Sequence, residues 1–108
     1  MSPANFSSLT PIKMIENLNK AFENRIRLGI MSILMVNDEV DFNTAKELLK
    51  VTDGNLASHT NSLEKLEYIK VIKEFVGKKQ KTSYKATKAG KKAFTSHLDA
   101  LENLLKNR

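Results

Sequence analysis

Apolar residues recur along the chain first at helical spacing, then in a β-like block, then at helical spacing again. Ile12, Ile15, Leu18 and Phe22 fall on one helical face, with Thr10 as a candidate N-cap and Pro11 at the first helical position. From about Glu23 to Val36 the same period continues. Ile26, Ile30, Ile33 and Leu34 form a stripe that Leu28, Met31 and Met35 widen, which predicts a helix buried on several sides. Asn37-Asp38-Glu39 closes it, and Val40-Asp41-Phe42 reads as short and extended. Asn43 is the candidate N-cap of a second helix, whose first turn is Thr44 to Glu47 and whose inner face is Leu48 and Leu49. Val51 to Gly54 reads as a turn, because Asp-Gly punctuates strongly. A third helix runs from about Asn55 to Tyr68, with Leu56, Leu63 and Leu66 inward. Ile69 to Val76 reads as a strand, Gly77 to Lys81 as a polar hairpin loop and Thr82 to Ala86 as the returning strand. Thr87 then caps a last helix that carries Ala89, Ala93, Phe94, Leu98, Leu101, Leu104 and Leu105.

The resulting order is helix, helix, helix, hairpin, helix. Two short helices joined by a tight turn and followed directly by a hairpin predict a winged helix-turn-helix. The fold class is mainly α with a small β-hairpin: a three-helix core, a two-to-three-stranded wing, and terminal helices free to pair. Residues 1–108 read as one domain, with a flexible start over 1–10 and dimerisation helices over 11–22 and 87–108. In the last helix Phe94, Leu98, Leu101 and Leu105 are spaced four, three and four, an a/d-type seam. Together with Ile12, Ile15, Leu18 and Phe22 they exceed what a domain this small can bury beside its core, so a homodimer is expected. The competing reading is that the last helix folds back on its own domain.

Composition narrows the chemistry. Cysteine is absent, which removes disulfides, thiolate catalysis and thiolate metal sites. The sequence has only two histidines, His59 and His97. His97 with Asp99 or Glu102 is the one arrangement that could approach a metal, but a lone His on an amphipathic helix is far more often a surface or interface residue. No metal, cofactor or catalytic residue is therefore expected. No nucleophile–base spacing and no Gly-rich phosphate loop stands out among four glycines, of which Gly54 and Gly77 read as turn residues. No apolar run approaches the roughly 20 residues of a membrane span, and the N-terminus lacks a signal-peptide layout, so the expected compartment is the cytoplasm.

Charge then points to a partner. The chain carries a formal net charge of +6. From Lys70 to Lys92 there are nine lysines and a single acid, Glu74, so the excess sits on the hairpin and the start of the last helix. Lysine on an edge strand deters aggregation, but that accounts for one or two, not nine. A Lys-rich tip at Lys78, Lys79, Gln80 and Lys81 suits phosphate or a minor groove. Projecting the third helix at about 100° per residue puts Ala57, Ser58, Asn61 and Lys65 opposite its leucines. That outward face is small and polar, as a helix entering the major groove requires, and Asn is suited to adenine. A plain solvated face is the alternative for the helix taken by itself. Asn55 and Thr44 lie near helix N-termini, where backbone N–H groups favour phosphate. His59 falls near the core edge of its helix, either packed or against phosphate.

The run Asn55-Leu56-Ala57-Ser58-His59-Thr60-Asn61-Ser62-Leu63-Glu64-Lys65-Leu66-Glu67-Tyr68-Ile69 resembles the recognition helix of MarR-like and ArsR-like regulators. Asn24 to Ile30 resembles the first core helix of those families, and Tyr84 to Gly90 their wing exit, where Thr-x-x-Gly opens the final helix. Ala57 stands where Ser is common and Thr60 where an apolar residue is common, and the helix lacks an outward Arg. Much of the affinity is therefore expected to be electrostatic. The resemblance implies a sequence-specific DNA-binding transcriptional regulator, a repressor acting as a homodimer on a near-palindromic operator in double-stranded DNA. It leaves room for a small-molecule effector of unknown identity. The alternative is a winged-helix protein–protein interaction module without DNA readout.

Overall fold

The computed structural model describes residues 11–106. Helix α1 (Pro11–Glu16) leads through a 3-10 turn (Lys20–Phe22) to α2 (Arg25–Val36), β1 (Val40–Asp41), α3 (Phe42–Leu49) and α4 (Asp53–Lys65). Strands β2 (Ile69–Val76) and β3 (Lys79–Ala86) and helix α5 (Lys88–Lys106) follow. The Thr10 cap, the start over 1–10 and the side chain of Ile12 lie outside the described residues.

The first apolar stripe is broken in two by asparagine caps. Asn19 Oδ1 accepts from the Ala21 N–H at 2.9 Å, and Asn24 Oδ1 accepts from Ile26 and Arg27 at 2.9 and 3.1 Å. The second helix starts one residue before the expected cap. Asp41, not Asn43, caps it, accepting from the Thr44 N–H at 2.8 Å. Its inner face is therefore buried Ala45 with half-buried Leu49, while Leu48 is 61% exposed, against expectation. Asp53-Gly54 is likewise not a turn. Thr52 caps α4 through Asn55 N–H at 3.2 Å, which puts both residues in the first helical turn, where Asp53 suits the positive dipole end. The helix stops at Lys65 and Glu67 adopts φ +62°, so Leu66 falls past the buried face and is half exposed. Thr60 takes the inward place between Leu56 and Leu63, its hydroxyl donating to the Leu56 carbonyl at 2.9 Å. An apolar residue is thus not needed there, because the hydroxyl is satisfied within the helix.

The hairpin closes with two residues, Gly77-Lys78, not five, since Val76 already pairs with Lys79. Gly77 has φ +67°, the conformation a tight hairpin turn demands at its first central position. The sheet order is β1-β3-β2, all antiparallel, with Val40 opposite Tyr84 and Asp41 opposite Ser83.

One aromatic cluster decides how the ends of the domain are used. Phe22 and Phe94, expected in a dimer seam, are 2% and 4% exposed and belong to the chain's own core. Their ring centroids are 5.2 Å apart, edge to face, and Phe22 also meets Tyr68 at 5.6 Å. His97 is buried beside them, neither a surface nor an interface residue. Its Nδ1 accepts from the Asn19 N–H at 2.9 Å, and Asn19 Nδ2 donates to the Tyr68 hydroxyl at 3.0 Å. The competing reading, in which the last helix folds back on its own domain, is thus half right. Phe94, His97 and Ala100 pack inward, while Leu98, Leu101 and Leu105, with Ile15 of α1, stay exposed.

The Thr-x-x-Gly motif has a physical reason. Thr87 Oγ1 accepts from the Gly90 N–H at 2.9 Å and donates to the Glu67 carbonyl at 2.6 Å, and the Thr87 N–H donates to the Tyr68 carbonyl at 3.0 Å. Gly90 lies against the Tyr68 backbone, so no side chain fits there. Among the described residues no helix is long and apolar enough to cross a membrane.

Candidate nucleic-acid interface

Helix α4 presents Asn55, Ala57, Ser58, Asn61 and Lys65 to solvent, as its period requires. Strand alternation puts Ile69, Val71, Lys73 and Phe75 of β2 on one sheet face with their partners Ala86, Tyr84, Thr82 and Gln80. The base of that face is core, since Ile69, Tyr84 and Ala86 are buried. Its outer part turns toward α4. Between them runs a groove of about 560 Å³, walled by Ala57, Asn61 and Glu64 on the helix and by Lys73 and Thr82 on the wing. Phe42, Thr60, Val71 and Tyr84 also line it. The Tyr84 phenol is pushed up from its ordinary pKa chiefly by burial, and the carboxylate of Glu64 adds to the rise.

The wing lysines divide between two faces. Lys73 stands on the α4 side, while Lys79 and Lys81 share the other face with Lys70 and Lys85. Lys78 occupies the turn itself, and Gln80 lies on the α4 side. Lys79, Gln80 and Lys81 border a second groove with Asp41, Phe42 and Asn43, at the start of α3. Thr44 is exposed in a neighbouring hollow with Lys81 and Ser83, its N–H already given to Asp41. Asp41 is held below the usual carboxylate range by its hydrogen bonds to Thr44, with Lys81 assisting. The structure thus gathers Ala57 and Asn61 with the inner wing face, and Thr44 with the outer one. Asn55, Ser58 and Lys65 extend the exposed α4 face beyond the groove.

His59 is engaged from within. Arg27 Nη1 lies 3.1 Å from its Nδ1, and Arg27 Nε donates to the Ala21 carbonyl at 2.6 Å. Burial, then the guanidinium charge, lowers the imidazole pKa, so the neutral ring accepts from Arg27 and ties α4 to α2. Arg27 is not evident from the sequence, because its partner is 32 residues away and only its place in the Asn24–Ile30 motif marks it. Phe75 and Val76 read from the sequence as ordinary strand residues. They are 73% and 61% exposed at the tip. One ion pair near the site lies on the surface. Lys46 meets Asp53 at 2.7 Å across the α3–α4 turn, with both side chains well exposed, so the pair contributes little stability. Among the described residues no cluster of three or more acidic or histidine side chains is placed to hold a metal ion.

A three-helix core with β1 joined to a two-stranded wing, the second helix of the pair outward-facing, defines a winged helix-turn-helix. The chain belongs to the winged helix DNA-binding domain family, which it matches over residues 26–105. It is similar to an uncharacterised protein of Methanocaldococcus jannaschii, 33% identical over 88 residues, covering 82% of this chain and 96% of that one. A transcriptional regulator homologue from Pyrococcus horikoshii matches in structure with a TM-score of 0.77 at 25% identity, over 88% of this chain and 92% of that one. The structure of NadR in complex with 4-hydroxyphenylacetate matches at 0.67 and 18% identity, over 88% and 67%. At that identity the likeness concerns the fold. The protein is a member of a winged-helix DNA-binding family.

Proposed function

We propose that the protein is a sequence-specific transcriptional regulator that binds double-stranded DNA as a homodimer in the cytoplasm and represses from a near-palindromic operator. The observation that carries this reading is the groove between the small, polar face of α4 and the lysine-bearing wing. A helix with Ala57, Ser58 and Asn61 outward can approach base edges closely. Lys73 beside it and the lysines of the wing tip supply the sequence-independent attraction to phosphate. Asn61 reads a base, Ser58 assists, and Asn55, Thr44 and Lys65 hold the backbone. Lys78, Lys79, Gln80 and Lys81 grip the flanking strand.

The dimer joins the exposed leucines of α5 with Ile15 of α1. Two-fold symmetry then sets two α4 helices about one DNA turn apart, which is why a near-palindrome is expected. NadR holds a small aromatic acid, and the likeness of fold supports an effector of still unknown identity here. The test is Asn61→Ala on a duplex selected from a random pool, with every position of the site varied singly. Discrimination should relax at one base position, by roughly 1–3 kcal/mol. Equal weakening on all duplexes would make Asn61 a positioning contact and not a reader.

A further inference from the structure

The tip of the wing is both apolar and basic. Phe75 is 73% exposed and Val76 61%, on either side of strand β2 just before the Gly77-Lys78 turn. Lys73, Lys78, Lys79 and Lys81 surround them, against Glu74 alone. Phe75 shares its face with Lys73, Thr82 and Gln80, so it continues the wall of the groove beside Asn61 outward to the tip. We propose that Phe75 is a wedge that enters the minor groove next to the α4 contact, unstacks one base step and kinks the duplex. This deepens the DNA-binding reading and rests on it.

Reach and charge favour this occupant. From the Val71–Tyr84 pair on the groove floor to the Phe75–Gln80 pair is four residues, about 13 Å of strand. That is most of the roughly 17 Å, half a helical turn, that separates a major groove from the flanking minor groove, and the ring, which stands roughly perpendicular to the strand, supplies the depth of insertion. A second copy of the tip would set lysines against lysines, whereas a polyanion accepts them. A phenyl ring levered between base pairs is the kind of apolar insertion that bends DNA. Glutamine on the same face suits the acceptor-rich floor of that groove.

The experiment uses a duplex selected from a random pool, labelled at both ends for energy transfer. 2-Aminopurine is placed singly along the segment half a turn from the Asn61 contact. Wild type should brighten one 2-aminopurine position and shorten the end-to-end distance. Phe75→Ser should abolish both signals and weaken binding by roughly tenfold, the scale of one lost base–aromatic stack. Its salt slope should stay unchanged because no charge is removed. Phe75→Leu, another apolar wedge, should keep most of the bend. An undisturbed 2-aminopurine series with a straight duplex, for a wild type that binds tightly, would overturn the wedge and leave the DNA-binding reading standing. Absence of binding to any duplex at low salt would overturn that reading and the wedge with it. Phe75-dependent dimerisation, or Phe75-dependent sedimentation with phosphatidylserine vesicles, would assign the tip to another partner and refute the proposal.

Discussion

A methyl group added at Gly90 would have nowhere to go. Its carbon would lie 2.8 Å from the Tyr68 carbonyl carbon, 2.9 Å from the Tyr68 Cα, and nearer still to the carbonyl oxygen. The obstacle is backbone, and it is pinned, because Thr87 bonds both the Glu67 and the Tyr68 carbonyls. Helix α5 must therefore lift from the start of the wing in Gly90→Ala. Overpacking of this kind costs about 1–3 kcal/mol. Losing the Thr87–Tyr68 hydrogen bond adds about 0.5–1.5 kcal/mol, and the better helix propensity of Ala returns up to about 1 kcal/mol. The net expectation is a loss of roughly 2 kcal/mol, or about 10 °C in melting temperature for a domain this size. Gly54→Ala is the matched control. Gly54 sits in the first turn of α4 with nothing within 4 Å of an added Cβ, so it should gain up to about 1 kcal/mol. Urea unfolding with a shared slope separates the two. A Gly90→Ala protein as stable as wild type would refute the close approach of α5 to Tyr68.

Replacing Lys78, Lys79 and Lys81 together with Ala should weaken binding to every duplex and flatten the salt dependence by about 0.9 per lost phosphate contact. An unchanged slope would take the wing tip off the DNA. Leu98→Asp with Leu101→Asp should leave a folded monomer by light scattering, with much reduced DNA affinity; a wild type that is itself monomeric at micromolar concentration would count against the dimer. The His59 pKa is depressed in the folded chain, so the unfolded chain binds the proton first and stability should fall as pH drops from about 6.5, the ordinary imidazole value, through the depressed one. His59→Asn keeps an acceptor for Arg27 without a titrating group and should flatten that part of the curve; identical curves would remove His59 as its source.

Features set by local chemistry were legible in the sequence. Strand Ile69–Val76 has the expected bounds because its β-branched and aromatic run is followed by Gly. Thr87 caps the last helix as expected because no rival cap stands beside it. Where two nearby residues had equal chemistry, tertiary structure decided. Asp41 displaced Asn43 as the cap because Val40 pairs with Tyr84 and holds the chain extended only through Asp41. The outward face of α4 was readable from its period, but the inward turn of His59 depends on Arg27, a partner on another helix. Dividing the terminal stripes between core and surface required the Phe22–Phe94–Tyr68 cluster, which no single helix reveals. The wing faces were hidden for a simpler reason. With side chains alternating at period two, which lysines stand beside α4 follows from the register of the hairpin, and a five-residue loop leaves that register open.

The central claim is that this chain binds duplex DNA through α4 and the wing. Fluorescence anisotropy should be measured with a duplex selected from a random pool and with a scrambled one, across a series of salt concentrations. The predicted result is tight binding to the selected duplex, weaker binding to the scrambled one, and affinities for both that fall steeply as salt rises. Equal, salt-insensitive affinities, or no binding at 50 mM salt (on the order of the lower end of such a series), would contradict it.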